Sequence, residues 1–462
     1  MTAELRDGWR TWRWVTLVVG ATAAGLSLTL HLGAWAEAIP DGRRREAVLG
    51  VVQMSVLITA IVAVLALLSM ARLWVGCERR RLATWLLAGI PPAAASRLVL
   101  AELMVVGAAG GSGGALLSVA LLPVFHVEIA ANLGVPADGP AGASWSAILG
   151  SAVASVVLTL LGGMAPARGA VSASPLRALS DGEPEGSTAP RGRRRALAGL
   201  VAAAAVWSVV GIAGAPTLDE VFMPSMSLLA VLCCGLALFA DVLLPAAVRA
   251  WSWGIPDRWA LSWYLARRSA AARLTRTATL ATPLILGSLL AGGMYSVMSV
   301  MVASWRASGG TFEGGASSPV ENLALVLPAL AICAATSVGA LLATGEGQEH
   351  DEALLEAAGV APSTCRLTGA LTVVAVVVTA TLVGVGALVA LSAVMTAAIA
   401  TSSAATARFA VDLAPTVGFC LVVGAALLIV AVHHGRRNGR VPLAVRLRGR
   451  SGRSGRRVRP RR

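Results

Sequence analysis

Glu78-RRRLATWLLAGIPPAAASRLVLAE-Leu103 is a basic, partly amphipathic stretch between two long apolar runs, and a weaker copy returns as Glu352-ALLEAAGVAPSTCRLTGA-Leu371. In both, a Leu/Ala-rich turn leads into Ala-Gly-Ile/Val and one or two prolines. Small residues follow, and then Arg-Leu opens the next apolar run. The offset is 270 between Gly89 and Gly359 and 269 between Arg97 and Arg366, so the copies align with a single slip. A duplication of this kind decides how the rest of the chain is divided.

The 462 residues are 56% hydrophobic and 13% charged, with a mean hydropathy of +0.75. Soluble domains carry about 25% charged residues, so the composition is that of an integral membrane protein. The net charge of +14 is concentrated at one end: residues 433–462 hold 12 Arg and no acid, leaving 26 Arg against 24 acids elsewhere. Lys is absent, which fits a GC-rich coding bias of a bacterial kind. The Arg-rich tail, 446–462, is low-complexity sequence expected to be disordered and able to touch anionic lipid. No nucleic-acid partner follows from it.

A membrane helix needs about 20 mainly apolar residues. Ten segments qualify: 15–35, 47–73, 97–122, 143–165, 196–215, 225–248, 277–303, 320–344, 367–395 and 414–432. They are continuously apolar and do not alternate, which excludes a β-barrel. The spacing therefore predicts an all-α integral membrane protein. Arg bias in the short loops places both termini in the cytoplasm, together with 74–96 and the acidic 345–366 stretch. The quoted copies each lie between the second and third helix of a four-helix unit. The expected organisation is 4+2+4: a repeat at 1–182, a linker with two inserted helices at 183–262, and a repeat at 263–445. An even number of spans per repeat and two in the insert make the repeats parallel. Ala34-Trp35-Ala36 has the form of a signal-peptidase site, but the repeat requires the run before it as a span.

Catalytic chemistry is hard to find. Without Lys there is no phosphate-binding Gly-x-x-x-x-Gly-Lys-Ser/Thr loop, and neither His-Glu-x-x-His nor Gly-x-Ser-x-Gly occurs. No cofactor or metal is expected, and no enzymatic activity. The six cysteines suit apolar filler in helix contacts. His433-His434 sits at an interfacial helix end, and His31 and His126 lie near the outer face without a third ligand nearby in sequence. Asp241 and Arg72 are the charges to watch within the spans. Gly107, Gly110, Gly111 and Gly114 form two Gly-x-x-x-Gly pairs, and Gly384 and Gly386 lie at similar depth in the second repeat. These suit either tight helix packing or a sliding seam between halves. Pro283 and Pro328 are expected to bend their helices.

Arg80-RLATWLLAGIPPAAASRLVLAEL-MVVGAAGGSGG resembles the core of FtsX-like permeases, integral subunits of one class of ABC transporters. Leu86-Leu87-Ala88-Gly89 is similar to that family's turn, Arg97 to its basic position, Glu102 to its acid and Gly107 to Gly114 to its glycine-punctuated span. The second copy keeps Ala358-Gly359-Val360 and Arg366 but has Ala370 near where the first has Glu102, and its lead-in is acidic. Ser174-PLRA-Leu179 resembles the family's post-span sequence, and Trp263-Tyr264-Leu265-Ala266-Arg267-Arg268 its entry into a first helix. The layout is like that of ten-span members linked to peptide-antibiotic sensing and resistance. The loops at 36–46 and 304–319, however, leave no room for a large outer domain.

The resemblance implies a separate cytoplasmic ABC-type ATPase, as a dimer, and a hydrophobic, lipid or peptide substrate. The residues expected to couple to that motor are Arg79, Arg80, Arg81, Trp85, Leu86, Gly89, Arg97 and Glu102, with Leu355, Gly359 and Arg366 in the second copy. Read from the residues alone, an apolar Trp85-Leu86-Leu87 flanked by Arg suits a groove on a soluble motor, or a helix that only anchors to the membrane surface. Two other functions remain open: an ion-coupled secondary transporter resting on Asp241, and a non-transporting scaffold that relays a signal to a partner.

Overall fold

Long apolar runs have one means of satisfying their backbone in lipid, the helix, and helix is what the chain forms. The computed structural model describes residues 2–37, 39, 42–77, 79–132, 143–172, 191–255, 261–272, 274–309, 319–402 and 406–438. Among these are twelve helices: α1 (Thr2–Glu37), α2 (Gly42–Cys77), α3 (Arg79–Leu87), α4 (Pro92–Asn132), α5 (Trp145–Ser172) and α6 (Arg191–Ala213). They continue with α7 (Leu218–Ser252), α8 (Leu261–Ala272), α9 (Leu274–Ala307), α10 (Pro319–Ala357), α11 (Pro362–Thr401) and α12 (Ala414–Asn438). Ten of them, all but α3 and α8, are long and apolar enough to cross a membrane.

Several helices outrun their expected spans, α4 and α11 among them. The third apolar run reads as ending near 122, but α4 continues through Pro123 to Asn132. At 1.5 Å per residue α4 and α11 are each about 60 Å long, twice the hydrocarbon thickness. α9 and α10 likewise continue as single helices past Pro283 and Pro328. The linker sequence before Arg191, the Ser174–Leu179 and Val441 codas and the Arg-rich tail lie outside the described residues.

α1 packs on α2, α4 and α5, while α5 also packs on α2 and α4. The same five pairings occur among α9, α10, α11 and α12, with α9 in the place of α1 and α11 in the place of α4. α10 lies at the join, against α1, α2 and α4. α6 and α7 pack on the second group, α6 on α11 and α7 on both α9 and α11. Side-chain hydrogen bonds join helices where apolar packing alone would leave hydroxyls buried: Ser118 to Ser27 at 2.7 Å, Thr416 to the Ser288 carbonyl at 2.9 Å and Trp251 to Thr379 at 2.9 Å. Each such bond in a membrane bundle contributes about 0.6 kcal/mol.

Among the described residues the apolar core falls into three clusters. Val18, Met70, Trp74, Leu82, Leu103, Leu284 and Leu341 are all buried in one cluster spanning both groups. At the opposite end a smaller cluster of Leu28, Leu32, Val52, Leu122 and Phe125 ties α1 to α2 and α4. Gly33 near the end of α1 lies beside Val52, and Trp12 near its start stacks edge-on against Trp74 at 5.4 Å. α2 is thus antiparallel to α1. α10 is too, with Pro328 beside Gly25 and Gly339 beside Val18. The segments that follow α2 and α10 therefore emerge at one end of the bundle, where α1 begins.

Candidate functional site

The two quoted stretches form the same object at that end. In the first, the amide of Gly89 donates to the Leu86 carbonyl at 3.1 Å and that of Ile90 to the Trp85 carbonyl at 3.1 Å. In the second, Gly359 donates to Glu356 at 3.0 Å and Val360 to Leu355 at 3.0 Å. This pair of bonds is the Schellman termination of a helix, which needs a left-handed residue just past the end. Gly89 has φ +86° and Gly359 φ +93°. A Pro at the first helical position then restarts the chain as α4 (Pro92) or α11 (Pro362), where its fixed φ helps and its missing N–H costs nothing. From 84 to 93 and from 354 to 363 half-buried and exposed residues follow in the same order, position by position. Leu87 is 57% exposed and Leu354, three positions earlier in its copy, 51%, so each approach carries an exposed leucine though not at the same position.

The approaches to the turns differ. The described approach to the first turn is α3, from Arg79 to Leu87, and that to the second is α10, from Pro319 to Ala357. α3 is held by its inner side: Leu82 and Ala83 are buried. Arg81 donates from Nη2 to Glu102 Oε1 at 2.8 Å and lies 4.5 Å from the Trp85 ring centre. Glu102 is 6% exposed. A buried carboxylate is tolerated here because a guanidinium meets it. The sequence suggests that Arg81 and Trp85 reach outward to a partner. The structure turns Arg81 inward and leaves Trp85 and Leu86 half-buried, so Leu87 is the exposed apolar residue of α3. The side chains of Arg79 and Arg80 lie outside the described residues.

The alignment of the copies is also sharper than Arg97 and Arg366 suggest. The two turns, their prolines and the buried pair Ala95/Cys365 all keep an offset of 270. Gly114 and Gly384 share it, Gly114 lying against Gly20 of α1 and Gly384 against Ser288 of α9. A one-residue slip inside a helix is a rotation of about 100°. Arg97 and Arg366, both exposed, are therefore neighbours in phase and not equivalents. The counterpart of Glu102 is Thr372, which shares a 3.3 Å contact with Ser269 of α8.

The glycines of α4 serve two partners. Gly110 and Gly114 face α1, where a methyl on Gly110 would come within 2.8 Å of the Thr16 carbonyl. Gly107 and Gly111 face α5, at Val156 and Ala152. They build the first group from within, while the join between groups uses Gly25 and Gly339 instead. Gly386 points into open space. Asp241 and Arg72 are both exposed, on the outer sides of α7 and α2. Cys233, Cys333, Cys365 and Cys420 are buried thiols outside any disulfide.

Residues 54–175 match the family model described as FtsX-like permease C-terminal. That stretch takes in most of α2, all of α3 and α4, and α5. No curated protein matches the chain.

Proposed function

We propose, from the FtsX-like permease domain matched at residues 54–175, that the chain is the membrane subunit of an ABC transporter driven by a separate ATPase dimer. The observation that carries this reading is the pair of solvent-facing Schellman turns at Ala88-Gly89 and Ala358-Gly359, alike in backbone and exposure and emerging from one end of the bundle. Two alike motor subunits need two alike receiving surfaces. We place that end in the cytoplasm, with both termini, in the cell membrane. The chain is read as two parallel repeats, 1–182 and 263–445, with the 183–262 insert docked on the second.

ATP-driven closure of the motors would push on the turns, and α4 and α11, which start at them, would carry the movement across the bilayer. The substrate is hydrophobic, a lipid or a peptide, expelled or handled at the outer leaflet. Ion-coupled transport is less well supported, because Asp241 sits on an exposed helix face and not in the bundle interior. The turns are tested by Leu87→Asp and Leu354→Asp in the full chain, purified from membranes with its ATPase. We expect the bundle to stay folded and the ATPase to be lost from the complex. Retention of the ATPase at full stoichiometry by the double variant would sink the docking assignment.

A further inference from the structure

At the second turn, three polar side chains close a ring across three helices. Glu352 of α10 reaches over Gly369 of α11, its Oε1 lying 3.9 Å from where a methyl on that glycine would sit. Arg366 of α11 lies over Gly435 of α12 through its alkyl stem, with 3.3 Å between its Cγ and the corresponding methyl position, while its Nε donates to the Pro362 carbonyl of its own helix at 3.3 Å. His434 of α12 lies over Gly345 of α10, with its Nε2 only 2.8 Å from a methyl there. Each helix thus offers one polar side chain to the next and one glycine to the previous, and the order closes on itself. All six residues line one cleft. Glycine is needed most at 345, where the imidazole lies against the backbone, and least at 369, where a methyl would meet only ordinary contact.

The first group is built differently at the same level. With the offset of 270, Glu352 corresponds to Leu82 and Gly369 to Val99, both buried and apolar. There the turn is pinned to α4 by Arg81 and Glu102, and α5 is met by apolar contact. In the second group α12 is met by the Arg366 stem and itself lays His434 over α10.

We propose that Glu352, Arg366 and His434 form a clasp that makes α11 and α12 move as one with the second turn. The proposal rests on the coupling reading above and names the residues that transmit the push. In it, Glu352 and Arg366 are positioning residues at the base of the turn, and His434 is the hold on α12.

The test uses the full chain with its ATPase in lipid nanodiscs, labelled with an environment-sensitive thiol probe at Ala358→Cys on the turn or at Val422→Cys on the exposed side of α12. Emission is compared between nucleotide-free and vanadate-trapped complexes. In the otherwise unaltered chain both probes should respond. With Glu352→Gln, or with His434→Gln, the probe at 358 should still respond and the probe at 422 should fall to the nucleotide-free level. Gly345→Ala, which displaces the imidazole without removing it, should do the same. Gly369→Ala, whose methyl meets only ordinary contact, should leave both responses intact. A response at 422 that survives Glu352→Gln and His434→Gln overturns the clasp while leaving the coupling reading standing. Silence at 358 in the unaltered chain overturns the coupling reading, and the clasp with it.

Discussion

Removing the Glu102 carboxylate takes away the anion that holds Arg81, and the cost is set by how much water Arg81 can reach. Arg81 is partly exposed, so Glu102→Ala should destabilise the chain by about 2–3 kcal/mol, at the lower end for a buried charge pair. A thermal unfolding series in detergent would show it, and the Arg81→Ala/Glu102→Ala double variant should regain part of the loss because no charge is then stranded. Additive losses would show that the two side chains are not coupled. The glycines separate just as cleanly. Gly114→Ala forces a methyl into the Gly20 backbone and Gly384→Ala one into Ser288. Each is expected to cost about 1–3 kcal/mol or more, as overpacking does. Gly386→Ala, facing open space, should stay within about 0.5 kcal/mol of the unaltered chain. An equal effect at 384 and 386 would contradict the packing described for α11.

Each turn is defined by its backbone, so its tolerance is predictable. Gly89 and Gly359 sit at positive φ, and Gly89→Ala or Gly359→Ala, which adds a Cβ there, should cost about 1 kcal/mol or more. In the proposed coupling they should also weaken ATPase retention to similar degrees, read as the subunit ratio after gel filtration. These turns are legible in the sequence because a helix stop has a local signature: Gly after a Leu/Ala run, then Pro. Span number is legible for the same kind of reason, since about 20 apolar residues declare themselves. What is not legible depends on helix phase and on distance along the chain. Two identical Arg residues at 97 and 366 suggest a slip that the helices do not contain, because residue identity carries no angular information. Arg81 reads as an outward charge because its acid lies far along the chain, on another helix. The Glu352–Arg366–His434 ring joins an acidic loop, the start of one span and the end of another, and no spacing rule connects them. Arg79 and Arg80 keep their expected role as proposals.

On the scale of the molecule, the parallel arrangement makes a direct prediction. Cysteines placed at Ala88 and Ala358 should both react with a membrane-impermeant maleimide in inside-out vesicles and neither in right-side-out cells. Labelling from opposite sides would mean that the two groups are inverted. The contrast between the two approaches then takes on a mechanical sense. On the first side the turn is carried by α3, described from Arg79 to Leu87. On the second, one rod runs from Pro319 at the far end of the bundle to Ala357 at the turn. At a helical rise of about 1.5 Å per residue, that rod spans about 60 Å. It lies at the join, touching α1, α2 and α4 along the way. A rod gripped near its middle is a lever, and displacement at one end appears reversed at the other. A stroke delivered at the second turn would thus reappear, through α10, at the opposite end of the bundle.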